Sequence, residues 1–157
     1  MTTVYKRIYL EEKQQIEVNE ITLLSVDEYK ANRYLISNIP SWWWLRTPGT
    51  NIDYPGVEQI IDGWIFAGYV SHIEGVRPVL RIRNPKSFNL EIGDKFKLTD
   101  YIWTMLRDNL ALCDDVIGEC AFRKDWKATD TNDYEKSDVK KYLEQWAIEN
   151  GIEVETI

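Results

Sequence analysis

Residues 41–49 read SWWWLRTPG and residues 75–82 read GVRPVLRI, and these two stretches decide the fold. Side chains alternate between faces along a strand, so Trp42 and Trp44 point one way and Trp43 the other. Each indole buries roughly 150–250 Å² and needs a hydrogen-bond partner for its N–H when it is buried. The tryptophan run is therefore either covered on both faces or partly presented to a ligand.

Composition limits the class of protein. The chain has 157 residues, of which 44% are hydrophobic and 13% aromatic, so we expect a single globular domain over residues 1–157. No apolar run approaches the roughly 18 residues of a membrane span, and the N-terminus lacks the apolar stretch of a signal peptide. We therefore predict a cytoplasmic protein. The net charge of −7 argues against direct nucleic-acid binding and permits docking on a basic partner.

Two segments carry helix signals. Ser25 and Glu28 form a capping box, which predicts a helix over residues 25–37 that ends before Pro40. Ser137 precedes apolar residues at helical spacing, and Gly151 follows them, which predicts a second helix over residues 138–150.

The strand signals lie mostly between the helices. Residues 76–82 are expected to form one strand, and Pro78, which has no N–H, should place it at an edge or at a bulge. Residues 60–70 predict one or two strands with a glycine bend. Further strands are expected within residues 95–107 and over residues 110–113.

Several of these segments resemble a known family. Residues 43–49 and 75–80 are similar to the paired signature "WWLRSPG … GVRPALNL" of an uncharacterised domain family common in Gram-positive bacteria and their phages. Residues 21–29 and 132–143 resemble two further segments of that family. The signature positions in this chain are Trp43, Trp44, Leu45, Arg46, Gly49, Gly75, Arg77 and Pro78.

The signature is in turn similar to strands of sulfatase-modifying-factor-like domains, which have the C-type-lectin-like fold. This resemblance implies an α+β fold with two helices and a twisted antiparallel sheet. The order of the matching segments is exchanged relative to the family, which suggests a circular permutation. We then expect residues 76–82 to pair antiparallel with a strand inside residues 95–107. Arg46 and Arg77 would give the sheet charged hydrogen bonds, whereas Trp42 has no counterpart in the signature.

Catalytic and metal-binding signals are weak. His72 is the only histidine and has no nucleophile motif beside it, so we predict no enzyme, no metal and no cofactor. Cys113 and Cys120 are expected to be free thiols, with a bridge across a hairpin as the alternative. The acidic residues 130–135 lack the glycine and the terminal glutamate of a calcium loop, which favours a turn and helix cap.

Three functions stay open at this point. The first is a non-enzymatic binding module of a phage or mobile element, which masks a host defence complex by docking acidic loops on a basic surface. The second is a surface or virion module that binds a carbohydrate or receptor with exposed aromatic side chains. The third is an enzyme of unrecognised class. The candidate binding residues are Trp42, Trp64, Asp114, Asp115, Glu119, Trp126, Asp130 and Asp133.

These functions predict different surfaces. The first predicts clustered carboxylates on one face and a tryptophan run that is largely buried. The second predicts that Trp42, Trp43, Trp64 or Trp126 is exposed in a groove. The third requires a concave pocket that holds titratable side chains with shifted pKa values.

Overall fold

The computed structural model describes residues 7–9, 16–49, 56–127 and 131–154, and the backbone alone at 7–9 and 56–58. Within these ranges the chain forms two β-sheets and two α-helices, which confirms the α+β class. The single antiparallel sheet that we expected is instead two sheets, and each contains one parallel pair. Asp130 lies outside the described residues.

The first sheet has six strands. Their spatial order is β1 (Arg7–Tyr9), β8 (Lys95–Leu98), β9 (Tyr101–Met105), β10 (Leu110–Cys113), β7 (Val79–Arg83) and β2 (Glu17–Thr22). Only β1 and β8 pair in parallel. The consecutive strands β8, β9 and β10 confirm the strands predicted within residues 95–113.

The second sheet has five strands. Their spatial order is β11 (Gly118–Ala121), β6 (Ile73–Val76), β3 (Trp43–Pro48), β4 (Gly56–Ile61) and β5 (Trp64–Tyr69). β4 and β5 form a hairpin whose two-residue turn, Asp62 and Gly63, has positive φ values of 47° and 82°. This turn is the glycine bend predicted within residues 60–70, because a twisted hairpin favours positive φ at both turn positions.

The prediction of one continuous strand over residues 76–82 is wrong. The strand is interrupted at Arg77 and Pro78. β6 lies in the second sheet, whereas β7 lies in the first. Proline cannot donate to a ladder, so the strand leaves one sheet there and enters the other. The predicted pairing with residues 95–107 is also wrong. β7 pairs with β10, which separates it from β9 in the same sheet.

Both helices begin where the sequence predicts. α1 (Val26–Asn32) has the full capping box between Ser25 and Glu28, and it continues as a 3₁₀ turn, Arg33–Leu35, to end slightly earlier than expected. α2 (Asp138–Glu149) is capped by the Ser137 hydroxyl, which accepts from the Lys140 N–H. Gly151 follows it with φ of 70°, a conformation that glycine adopts without strain.

The core has two parts. A larger apolar cluster joins α2 to both sheets through Trp44, Phe122 and Trp146, among others. A smaller cluster lies around α1 and includes Tyr29 and Trp43. No helix in the described ranges is long and apolar enough to cross a membrane.

Candidate functional site

Two of the three tryptophans in the run, Trp43 and Trp44, are buried, one on each face of β3. Trp43 and Trp44 are fully buried and belong to different core clusters. The Trp44 indole N–H donates to the Cys120 carbonyl at 2.9 Å, which satisfies the polar atom of the buried ring. Trp42 is half-buried, and its ring meets the Phe66 ring edge-on at 5.2 Å.

Arg77 is the largest charged side chain in the core, with 1% of its surface exposed. Its guanidinium donates to the Cys113 carbonyl at 2.6 Å and to the Ser37 carbonyl at 3.1 Å, and it lies 4.9 Å from the Trp43 ring centre. Burial lowers the pKa of Arg77 to about 10, and the nearby Asp114 opposes that shift. Arg77 therefore links the segment between β6 and β7 to the end of β10 by hydrogen bonds.

Arg46 joins β3 to the beginning of α1. Its guanidinium bonds Glu28 Oε1 at 2.5 Å and also donates to the Leu23 carbonyl. Burial opposes the ionisation of Glu28, but hydrogen bonds from Arg46 and from the Ser25 N–H outweigh it and lower the pKa of Glu28. The expected charged hydrogen bond to a sheet is confirmed for Arg77, which donates to β10, whereas Arg46 donates to α1 and to the segment before it.

Gly75 in the signature is required by close packing. A Cβ at this position would lie 2.8 Å from the Trp42 carbonyl oxygen and 2.8 Å from a Val116 methyl. The Gly75 N–H donates to that same carbonyl at 3.0 Å. A larger residue would therefore separate β6 from β3.

The acidic candidates divide into internal and exposed residues. Asp114 bonds Lys95 at 2.6 Å and Thr104 at 2.5 Å, and the Asp133 side chain caps a 3₁₀ turn, Tyr134–Lys136. Asp115 and Glu119 are exposed. Two of the acidic residues predicted to dock on a partner, Asp114 and Asp133, therefore form hydrogen bonds within the protein itself.

The exposed aromatic candidates lie at two places. Trp64 is 69% exposed and belongs to β5, together with the exposed Phe66 and Tyr69. Trp126 is 60% exposed and lies under the Lys127 ammonium, 5.2 Å from its ring centre. Three clefts in the described part of the structure have neither tryptophan in their lining. The exposed aromatic side chains that the carbohydrate hypothesis requires are therefore present, but they lie outside these three clefts.

β5 is an edge strand. One side pairs with β4 over all six residues, and among the described residues no strand pairs with the other side. Ile61 and Trp64 flank the two-residue turn, so they form a hydrogen-bonded pair, and the pattern then alternates along the hairpin. The N–H groups of Ile65 and Ala67 consequently point outward, away from β4.

Charge is absent from this edge. Residues 64–70 read WIFAGYV and contain no charged residue and no proline. Natural proteins usually protect edge strands with lysine, proline, a bulge or a covering segment, because open backbone groups recruit further strands. β5 has none of the first three devices within the described structure.

The β5 surface was only partly found from the sequence. Trp64 was a candidate, whereas Ile65, Phe66, Ala67 and Tyr69 were not. An apolar run on both faces of a strand usually indicates burial, so nothing in the sequence pattern predicted that these side chains would be exposed. The uninterrupted lack of charge over residues 64–70 was the available clue.

The remaining shifted pKa values have structural causes. Cys113 and Cys120 are free thiols, as expected, and burial raises the pKa of each to about 12. Burial also raises the pKa of Glu74, with a smaller contribution from the like charge of Glu119.

His72 is exposed and contacts the Tyr69 ring. No set of three or more His, Cys, Asp or Glu side chains in the described ranges is arranged for a metal ion.

Comparison with family models, with curated proteins and with solved structures finds no match to this chain.

Proposed function

We propose that this chain is a non-enzymatic module that binds a protein partner, and that the partner adds an extended segment to the open edge of β5. The observation that carries the proposal is the outward row of N–H and C=O groups on an uncharged, aromatic-rich edge strand. Such an edge supplies affinity through main-chain hydrogen bonds and specificity through alternate side chains.

The side chains beside the edge suit a peptide. Trp64 and Phe66 lie on one face of β5, where Phe66 also contacts Trp42. Tyr69 is exposed on the opposite face. An incoming strand would therefore place side chains against aromatic surface on both faces of the second sheet, and aromatic residues are enriched in protein interfaces.

The acidic surface has a secondary part in this proposal. Asp115 and Glu119 are exposed and could steer a basic partner, whereas Asp114 is held by Lys95. The resemblance to a phage-associated family extends the proposal to a cytoplasmic protein of a mobile element that masks a host complex.

A substitution of Ala67 tests strand addition. Ala67→Pro removes an outward N–H and leaves the β4 ladder intact, and Ala67→Ser is the matched control because it keeps the N–H. We expect lysate from a Gram-positive bacterium to yield a protein that the wild type and Ala67→Ser retain and that Ala67→Pro loses at least about tenfold. Retention by all three proteins, or by none, would contradict the proposal, provided that the variants unfold at the same urea concentration.

Carbohydrate binding is the second candidate, and the exposure of Trp64 favours it, since exposed indoles stack on sugar rings. It would use the ring of Trp64 and not the edge backbone. Binding on a glycan array that Trp64→Ala abolishes and Ala67→Pro preserves would therefore select this function over strand addition.

We also propose that the fold is a circularly permuted C-type-lectin-like domain. Support comes from the exchanged segment order and from Val154, which forms a parallel bridge with Val18 and so brings the end of the described chain beside β2. The pairing that this origin predicted is not formed, but β7 does lie in one sheet with β8 and β9, and only β10 stands between them. A permutant with joined ends and new termini within the 3₁₀ turn Pro85–Phe88 should fold cooperatively. An unfolded permutant would refute this origin.

A further inference from the structure

The side chains of β5 are self-complementary about Phe66. The large residues Trp64 and Ile65 precede it, and the small residues Ala67 and Gly68 follow it. Two β5 strands that pair antiparallel and are centred on Phe66 place Trp64 of each copy opposite Gly68 of the other. The same register places Ile65 opposite Ala67. A large side chain therefore lies beside a small one on both faces of the pair.

The outward main-chain groups fit the same register. The N–H groups of Ile65 and Ala67 point away from β4, and their carbonyl groups point the same way. In the pairing centred on Phe66, Ile65 of one copy and Ala67 of the other exchange both N–H···O bonds, and the symmetry axis repeats that exchange. The outward groups of both residues are then all bonded.

Exposed aromatic surface lies where the second copy would pack. Trp64 and Phe66 are 69% and 47% exposed. The Phe66 side chains of the two copies would meet across the axis, where the Cβ atoms of a directly opposed pair lie about 4.5–5.5 Å apart. Each Trp64 ring would cover Gly68 of the other copy, with the Gln59 side chain, which lies across that glycine, beneath it.

Charge distinguishes this edge from the rest of the surface. The chain has a net charge of −7, so contacts between copies generally bring like charges together. Residues 64–70 contain no charged residue, so pairing along β5 places no like charges opposite each other. A second copy can therefore approach along this strand without repulsion between opposed side chains.

From these observations we infer that β5 pairs with β5 of a second copy, antiparallel and centred on Phe66, when no other partner occupies the edge. The contact buries less than roughly 1,200 Å² in total, which is the size of weak interfaces. The chain is then monomeric at concentrations on the order of 10 µM and paired on the order of 1 mM. The inference rests on the open edge of the proposed function and adds a regulation of it, because a second copy and a partner protein compete for β5.

Sedimentation equilibrium of charge variants tests the register. Phe66→Lys and Phe66→Glu should each weaken self-association at least about tenfold, because like charges then face each other across the axis. An equimolar mixture of the two variants should associate at least about tenfold more tightly than either variant alone, because opposite charges then face each other. No gain on mixing would overturn the inference.

Trp64→Lys and Trp64→Glu are the matched control. In the inferred pair the Trp64 positions of the two copies lie about 14 Å apart, since each residue of a strand adds about 3.4 Å. This separation exceeds the Debye length of about 8 Å at physiological ionic strength, so mixing these variants should bring no gain. A gain equal to that of the Phe66 variants would contradict the register.

A further measurement uses the wild type alone. The Ile65 and Ala67 amides should exchange at least about threefold more slowly at about 1 mM than at about 10 µM, whereas the Phe66 and Gly68 amides, which donate to β4, should be unchanged. Exchange that is independent of concentration, or a monomer at about 1 mM, would overturn the inference.

The two proposals for β5 can fail separately. A chain that stays monomeric but retains a lysate protein through β5 would overturn self-pairing and support strand addition by a partner. A chain that pairs with itself in the inferred register but retains no lysate protein would support the inference and contradict the proposed function.

Discussion

Arg77→Leu tests how the two sheets are joined. Leucine fills much of the same space but removes every donor, so the Cys113 and Ser37 carbonyls lose bonds of 2.6 and 3.1 Å. Each buried acceptor left unpaired costs about 1–3 kcal/mol, and the lost contact with Trp43 adds about 1 kcal/mol. Relief from burying the guanidinium charge offsets part of this cost.

We therefore expect Arg77→Leu to lower the free energy of unfolding by about 3 kcal/mol, which corresponds to roughly 6–12 °C in Tm at this chain length. Urea titration followed by tryptophan fluorescence measures the change. Arg77→Lys should recover less than half of the loss, because an ammonium cannot span the two carbonyls as the planar guanidinium does.

Arg83→Leu is the matched control. Arg83 lies on β7, and its half-exposed side chain forms an ion pair with Glu17 at 3.7 Å, which should contribute no more than about 1 kcal/mol. Equal stability of Arg77→Leu and Arg83→Leu would refute the claim that the hydrogen bonds of Arg77 hold β6, β7 and β10 together.

Two further predictions concern titratable groups. Because the folded-state pKa of Glu28 is lowered, its contribution is fully present above the unfolded value of about 4.3 and is lost as the pH falls through the folded value. Glu28→Gln should therefore destabilise by about 1 kcal/mol at pH 7, and this difference should shrink as the pH falls below the unfolded value. An unchanged difference in urea titrations would show that the carboxylate charge is irrelevant. Cys113 and Cys120 should resist iodoacetamide at pH 8 in the folded protein and react after unfolding, because burial holds the pKa of both near 12. Rapid alkylation of the native protein, detected by mass spectrometry, would contradict that burial.

Local signals in the sequence predicted the parts of the fold that depend on local chemistry. The capping residues Ser25 and Ser137 located both helices, since a hydroxyl at the N-cap acts on its own backbone neighbours. The alternation of side chains predicted that Trp43 and Trp44 enter opposite sides of the second sheet, which the two core clusters confirm.

Long-range pairing was not predictable in the same way. The break at Arg77 and Pro78 assigns adjacent residues to different sheets, and its position depends on partners such as β10 and β11, which are distant in sequence. The internal ion pair of one acidic candidate was hidden for a similar reason, because Asp114 meets Lys95 only through the pairing of β8, β9 and β10. Sequence alone could not separate a carboxylate on the surface from one that the fold uses.

Amide hydrogen exchange of β5 tests the open edge most directly. In the isolated protein, the Ile65 and Ala67 amides should exchange at least about a hundredfold faster than those of Phe66 and Gly68, which donate to β4. This alternation follows from the two-residue turn and from the outer side of β5, with which none of the described strands pairs. Equal protection of all four amides would mean that the edge is already paired, and it would contradict the proposal that a partner strand binds there.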